Sequence, residues 1–159
     1  GADILPESGI CTNVINLGGG TLDMTRHAIG QGARTVTALN LQSGTLMNLG
    51  EFNNGAPLVK TGGGTLTLDG TNTYAGATVA SNGVLRLTGG ACLPQTADLY
   101  LSTGATCQLD YAGYLPIHTL YIDGERKKCS LYGHANLPAF FSGAGTLLLP
   151  SQGTVLLCR

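Results

Sequence analysis

Leu58-Val59-Lys60-Thr61-Gly62-Gly63-Gly64-Thr65-Leu66-Thr67-Leu68-Asp69-Gly70-Thr71-Asn72-Thr73-Tyr74-Ala75-Gly76-Ala77-Thr78-Val79, continuing through Asn82-Gly83-Val84-Leu85-Arg86-Leu87, holds the fold in miniature. A short apolar run (Pro57–Lys60) meets a Gly-containing turn. An alternating run (Thr65-Leu66-Thr67-Leu68) follows, with its leucines on one side and its threonines on the other, as a half-buried strand requires. Asp69-Gly70-Thr71-Asn72 then turns the chain, with residues that accept positive φ. A second apolar run (Ala77–Ala80), a second turn (Ser81-Asn82-Gly83) and a second strand (Val84–Leu87) repeat the plan about 20 residues later.

Outward from this stretch the pattern continues. Gly-Thr-Leu recurs at Gly20, Gly44, Gly64 and Gly145, with looser copies at Gly83 and Gly104. These glycines are spaced 24, 20, 19, 21 and 41 apart. A series picked on other residues, Ile15, Leu39, Val59, Val79, Leu99, Leu120 and Phe140, is spaced 24, 20, 20, 20, 21 and 20. Both series share the long first interval, which a four-residue insertion near His27–Thr35 explains. A meander of hairpins needs no fixed period. A parallel β-helix does, because each coil must return above its own start, adding about 4.8 Å per coil. The expectation is an all-β, right-handed parallel β-helix of roughly six to seven coils, on the order of 30 Å tall. Leu22, Leu46, Leu66, Leu85 and Leu147 are expected in one interior column. Gly20, Gly44, Gly64, Gly83, Gly104, Gly124 and Gly145 are expected at turns one coil apart.

One domain is expected over 1–159: a repeat-like core at about 14–110, an irregular cap region at about 111–138, and closing strands at 139–159. Glu125-Arg126-Lys127-Lys128 follows Gly124 where a leucine strand belongs, so Ile122–Lys128 reads as a hairpin or loop leaving the helix. Tyrosines gather nearby, with Phe140 and Phe141, as cover for an open end.

Composition agrees. The 159 residues include 25 Gly and no Trp, and only 11% are charged, against roughly 25% in ordinary domains. Helical bundles, disordered tails and, at a net charge of −1, nucleic-acid binders are excluded as classes. No apolar run is long enough to span a membrane as a helix. The start Gly1-Ala2-Asp3-Ile4 has no leader character and reads as an excised piece or mature fragment.

The quoted stretch resembles the autotransporter-associated β-strand repeat, also called the passenger-associated transport repeat. Its pattern is approximately L-x-K-x-G-x-G-T-L-x-L-x-G-x-N-x-Y-x-G-x-T-x-V, ending in G-x-L. Gly19–Asp23, Leu46–Glu51, Leu120–Gly124 and Phe141–Leu147 resemble segments that flank this repeat. The resemblance implies a right-handed parallel β-helix in a secreted or bacterial surface passenger. It also implies a role in passenger folding and export, and carries over no catalytic residues. The expected partner is the rest of a parent chain, with a host or matrix glycan or protein as a further candidate. No nucleic acid, membrane insertion, cofactor or metal is expected. Five cysteines are more than such passengers usually have.

Sites that would make this an enzyme are thin. Polysaccharide-cleaving β-helices need clustered acids with Arg or Lys. Asp23 and Asp69 fall three and five residues after their glycines, so they are not expected to stack. His27, His118 and His134 are scattered. Gly18–Asp23 fails the calcium nonapeptide pattern, and Gly62-Gly63-Gly64 opens no helix. Glu125–Lys128 is a small basic patch or, as the favoured reading, a solvated loop tip. Cys107 and Cys129, 22 apart, are either a disulfide between coils or small hydrophobes in a ladder. Tyr100, Tyr111, Tyr114 and Tyr121 are the candidate ligand contacts. Their clustering on one exposed face would favour glycan binding, and their burial as a cap would favour a structural role. The expectation is a non-enzymatic stalk segment; the alternatives are a carbohydrate-binding or polysaccharide-cleaving β-helix, or a protein adhesin.

Overall fold

The computed structural model describes residues 2–6 and 13–150. Among them there is no helix; the chain is a parallel β-solenoid of about five turns. The first coil carries β1 (Val14–Asp23) and β2 (Ala28–Ile29), the second β3 (Ala38–Met47) and β4 (Glu51–Phe52). The third carries β5 (Leu58–Lys60) and β6 (Thr65–Asp69), the fourth β7 (Thr78–Ala80) and β8 (Gly83–Leu87). The fifth carries β9 (Asp98–Leu101), β10 (Ala105–Leu109) and β11 (Tyr114–Pro116). Then β12 (Thr119–Ile122) folds back into β13 (Glu125–Arg126), and β14 (Ser130–Tyr132), β15 (Phe141–Gly143) and β16 (Thr146–Leu149) close the end.

The coils stack on two long faces. One runs β3, β5, β7, β9, β12 and the other β3, β6, β8, β10, β15, all parallel. β3 is long enough to serve both, pairing with β5 through Leu41 and with β6 from Gly44 to Met47. β1 pairs with β3 from both ends, with register shifts on either side of Gly18.

The core is a set of side-chain ladders. On the second face one column is Leu22, Leu46, Leu68, Leu87, Leu109, and the next is Leu66, Leu85, Cys107, Phe141. Burying one such leucine contributes roughly 1.5–3 kcal/mol, so the apolar ladder is the main cohesive term. On the first face Leu17, Leu41, Lys60, Ala80, Leu101 and Ile122 are stacked, beside Leu58, Thr78, Leu99 and Leu120.

Several sequence expectations are corrected. The coil count is about five rather than six to seven. The 41-residue gap between Gly104 and Gly145 is not two coils. On the second face Cys107 stacks directly on Phe141; of the residues between them only β12 stays in the parallel stack, on β9 of the first face. Leu46 stands on Leu68, not Leu66, because Gly44 itself faces Leu66. β1 and β3 continue as strands through their Gly-Thr-Leu motifs, whereas in the third coil the strand only begins after the Gly62–Gly64 bend. Leu147 belongs to a separate sheet, opposite Leu115 and Tyr132. Val59 and Val79 face outward and only partly buried, one residue out of phase with the inward Leu99.

Other expectations hold. The first coil's extra residues form a small excursion closed by a Gln31–Arg34 bridge. Ile122–Lys128 does leave the helix as a hairpin: Ile122 faces Glu125 and Tyr121 faces Arg126 in antiparallel pairing. Beyond the parallel rung β12, the short antiparallel β13 blunts the edge of the first face.

Candidate functional site

The polar residues of 58–87 form clamps between coils. Lys60 occupies an inward position of β5, where its neighbours in the column are Leu41 and Ala80. It is 1% exposed. Its Nζ donates to the carbonyls of Thr61 at 2.8 Å, Gly62 at 2.7 Å and Asn82 at 3.0 Å. All three ammonium donors are thus used, two on its own turn and one on the turn of the coil above. Burial holds its pKa below the ordinary lysine value.

Asn72 is the second clamp, 2% exposed. Its Oδ1 accepts from Leu49 N at 2.8 Å in the coil below. Its Nδ2 donates to Asp69 O at 3.0 Å and to Cys92 O at 2.8 Å in the coil above. One side chain therefore ties three successive coils. Tyr74 is fully enclosed, with its hydroxyl 2.7 Å from the Thr78 hydroxyl, and burial pushes its pKa up.

The glycines of this stretch permit close stacking. A Cβ on Gly76 would lie 2.0 Å from Ala56 O. Gly83 has φ 72°, and a Cβ there would meet Gly62 O at 2.5 Å. Of the other glycines expected at turns, Gly20 and Gly44 bend the long strands β1 and β3 from within, and Gly104 and Gly124 sit in tight turns. Gly64 and Gly145 have negative φ and are glycine for space; a Cβ on Gly145 would meet the Tyr111 ring at 2.7 Å.

The four candidate tyrosines are not brought together. Tyr100 and Tyr121 stack on the outer side of the first face, centroids 4.4 Å apart and planes within 1°. In the same outward row Val79 precedes Tyr100 and Arg126 follows Tyr121. Each ring thus turns one face to the other ring. Tyr111 packs against the core and donates to Thr146 O at 3.1 Å. Tyr114 is exposed on β11, in the three-stranded closing sheet.

Asp23 and Asp69 share one outward row, with Met47 between them, so the expectation that they would fall out of step is corrected. The row continues to Thr88, whose hydroxyl donates to Asp69 Oδ1 at 2.7 Å. Arg86 pairs with Asp110, its Nε 2.9 Å from Oδ2. Asp69 is held below the ordinary carboxylate range by the Thr88 hydroxyl first, then by Gly70 N–H and the Arg86 charge. Asn48 and Thr25 N–H do the same for Asp23. Such acids are ionised and hydrogen-bonded, which suits stacking rather than proton donation. His27 contacts Asp3, His118 contacts Asp98, and His134 lies 3.0 Å from Phe141 O. Among the described residues no group of three or more His, Cys, Asp or Glu could hold a metal.

Of the two readings of the Cys107–Cys129 pair, the ladder holds for Cys107. Cys107 is free and fully buried, a ladder member between Leu85 and Phe141, while Cys129 is disulfide-bonded elsewhere. Cys11 and Cys158 lie outside the described residues.

Sequence reasoning missed Lys60 and Asn72. The signal for Lys60 was parity: two residues after inward Leu58, it must also point inward. Asn72 looked like an ordinary turn residue, and nothing local reveals that its amide spans three coils.

The arrangement defines a class: a parallel solenoid whose coils are joined by apolar ladders and buried polar clamps. Residues 58–87, where those clamps lie, match the family model described as Passenger-associated-transport-repeat, and the chain carries that repeat there. Neither the curated proteins nor the solved structures compared with the chain include a match.

Proposed function

We propose that this solenoid is a non-enzymatic structural segment of an autotransporter-type passenger, secreted or displayed at a bacterial surface, that supports passenger folding and export. The observation carrying this reading is the place of the passenger-associated repeat. It supplies the strands of the third and fourth coils, and it is stacked in register on coils both before and after it. A rod built this way folds by adding each coil to the last, which suits a chain that emerges progressively across a membrane. Its buried clamps leave few free backbone groups for proteases.

Hydrolysis of a polysaccharide by paired carboxyl groups would need one held protonated beside an ionised one. Asp23, Asp69, Asp123 and Glu125 are all shifted the other way. Sugar stacking would need open aromatic faces, and Tyr100 and Tyr121 spend one face each on the other.

The test is labelling of intact producing cells with antibodies raised against the chain, before and after external protease. Surface label that the protease removes is the expected result. Label seen only after cell lysis, or robust turnover of polysaccharides by the purified chain, overturns the reading.

A further inference from the structure

The basic tripeptide Arg126-Lys127-Lys128 follows the hairpin turn, with Arg126 and Lys128 exposed. It begins in β13, paired with β12 through Tyr121–Arg126, and Lys127 N–H donates to Leu120 O at 2.8 Å. It forms one wall of an open cleft of about 270 Å³ at the closing end of the solenoid. His118, Thr119 and Cys129 line it too, and Leu149 with Pro150 adds an apolar lining from β16 and its end.

The charge balance in this cleft is unusual for the molecule. The whole chain has eight Lys and Arg, and three are consecutive here. Of the others, Lys60 is sealed in the core and Arg86 is tied to Asp110. The acids beside the cleft already have partners: Glu125 holds Lys127 at 2.5 Å, Asp98 holds His118 at 2.7 Å, and Asp123 accepts from Thr103. The side chains of Arg126 and Lys128 have no hydrogen bond or ion pair among the described residues. Two cations without a side-chain partner among the described residues thus line a concave site with an apolar lining.

We propose that this cleft binds an oxyanion, a carboxylate, sulfate or phosphate group, held by Arg126 and Lys128. Arginine offers a planar fork to such a group and lysine a point charge. The volume lies just below the usual range for whole small-molecule pockets, so it suits one charged group or ring rather than a large ligand. The same chemistry comes from two sources, the free inorganic ion or an acidic sugar unit, and the leucine–proline lining offers contact for the C–H face of the latter. This site is independent of the structural role argued above.

The experiment is a calorimetric or NMR titration of the full chain with inorganic sulfate, a sulfated disaccharide and the corresponding neutral disaccharide. Binding of an anionic probe, absent for the neutral sugar and weakened at least tenfold in Arg126→Gln/Lys128→Gln, is expected. Equal affinity for sulfate and sulfated disaccharide assigns the free ion, and tighter binding of the disaccharide assigns the sugar. Both side chains are exposed, so the variant's thermal midpoint should match the parent's; if it does not, Lys128→Gln alone gives the same comparison. No binding of either anion by the parent, or affinity unchanged in the variants, overturns the proposal.

Discussion

Lys60 shows how a charged residue becomes part of an apolar column. Its stem continues the line from Leu41, and its ammonium reaches the turn, where three carbonyls would otherwise lack donors. Lys60→Met keeps the stem and deletes the donors. It should lower unfolding free energy by about 1–3 kcal/mol, the cost of leaving buried acceptors unpaired. An unchanged denaturant midpoint would mean water serves those carbonyls equally well. The glycines allow a sharper contrast. Gly76→Ala drives a Cβ into a backbone carbonyl, which cannot swing aside as a side chain would. Gly63, in the same repeat, has nothing within 4 Å of its would-be Cβ and no positive φ. Gly76→Ala should cost about 1–3 kcal/mol or more, and Gly63→Ala about 0.5 kcal/mol at most in either direction. Equal melting shifts would refute this account of why the repeat carries glycine at the former.

At the scale of the element, each strand is short, three to five residues in most coils, and cannot stand by itself. What holds it is the rung above and below. Asn72 joins three rungs at the corner after β6, so its loss should be felt beyond its own turn. In Asn72→Ala the amide of Leu49 loses its acceptor, and hydrogen exchange there should accelerate together with exchange in β6 and β8. Acceleration confined to residues 69–73 would show a local turn rather than a clamp. The strands themselves were legible because alternation and period are written in Leu66, Leu68, Leu85 and Leu87. Their vertical register was not. Matching Gly44 with Gly64 looks natural in sequence, yet a glycine inside a ten-residue strand and a glycine at a bend occupy different places on the coil. Likewise Gly145 kept phase with Gly104 in number only, since antiparallel β13 and β14 interrupt the stack. The tyrosines failed for a related reason: side-chain type says nothing about which of three sides a residue meets. Only Tyr100 and Tyr121, one period apart, were recoverable as neighbours.

Across the molecule the inter-coil contacts include three carboxylates at three heights. Asp23 accepts from Asn48 Nδ2 at 2.9 Å, Asp69 from the Thr88 hydroxyl at 2.7 Å, and Asp123 from the Thr103 hydroxyl at 2.6 Å. Each is held below its ordinary value of 3.8 mainly by those neutral donors and nearby N–H groups. A group whose pKa is lower folded than unfolded binds more protons when unfolded, in the interval between the two values. The contribution is therefore complete above the unfolded value of 3.8 and disappears as pH falls through the lower, folded values. In a solenoid each coil is secured by its neighbours, so loosening three junctions at once should weaken the whole stack cooperatively. The melting temperature should be flat from roughly pH 7 to pH 5 and drop steeply below about pH 4. In Asp23→Asn/Asp69→Asn/Asp123→Asn the neutral-pH melting temperature should be lower and the acid limb shallower. Thermal melts by circular dichroism over that range measure both, and parallel acid limbs for parent and variant would place the acid sensitivity in other groups.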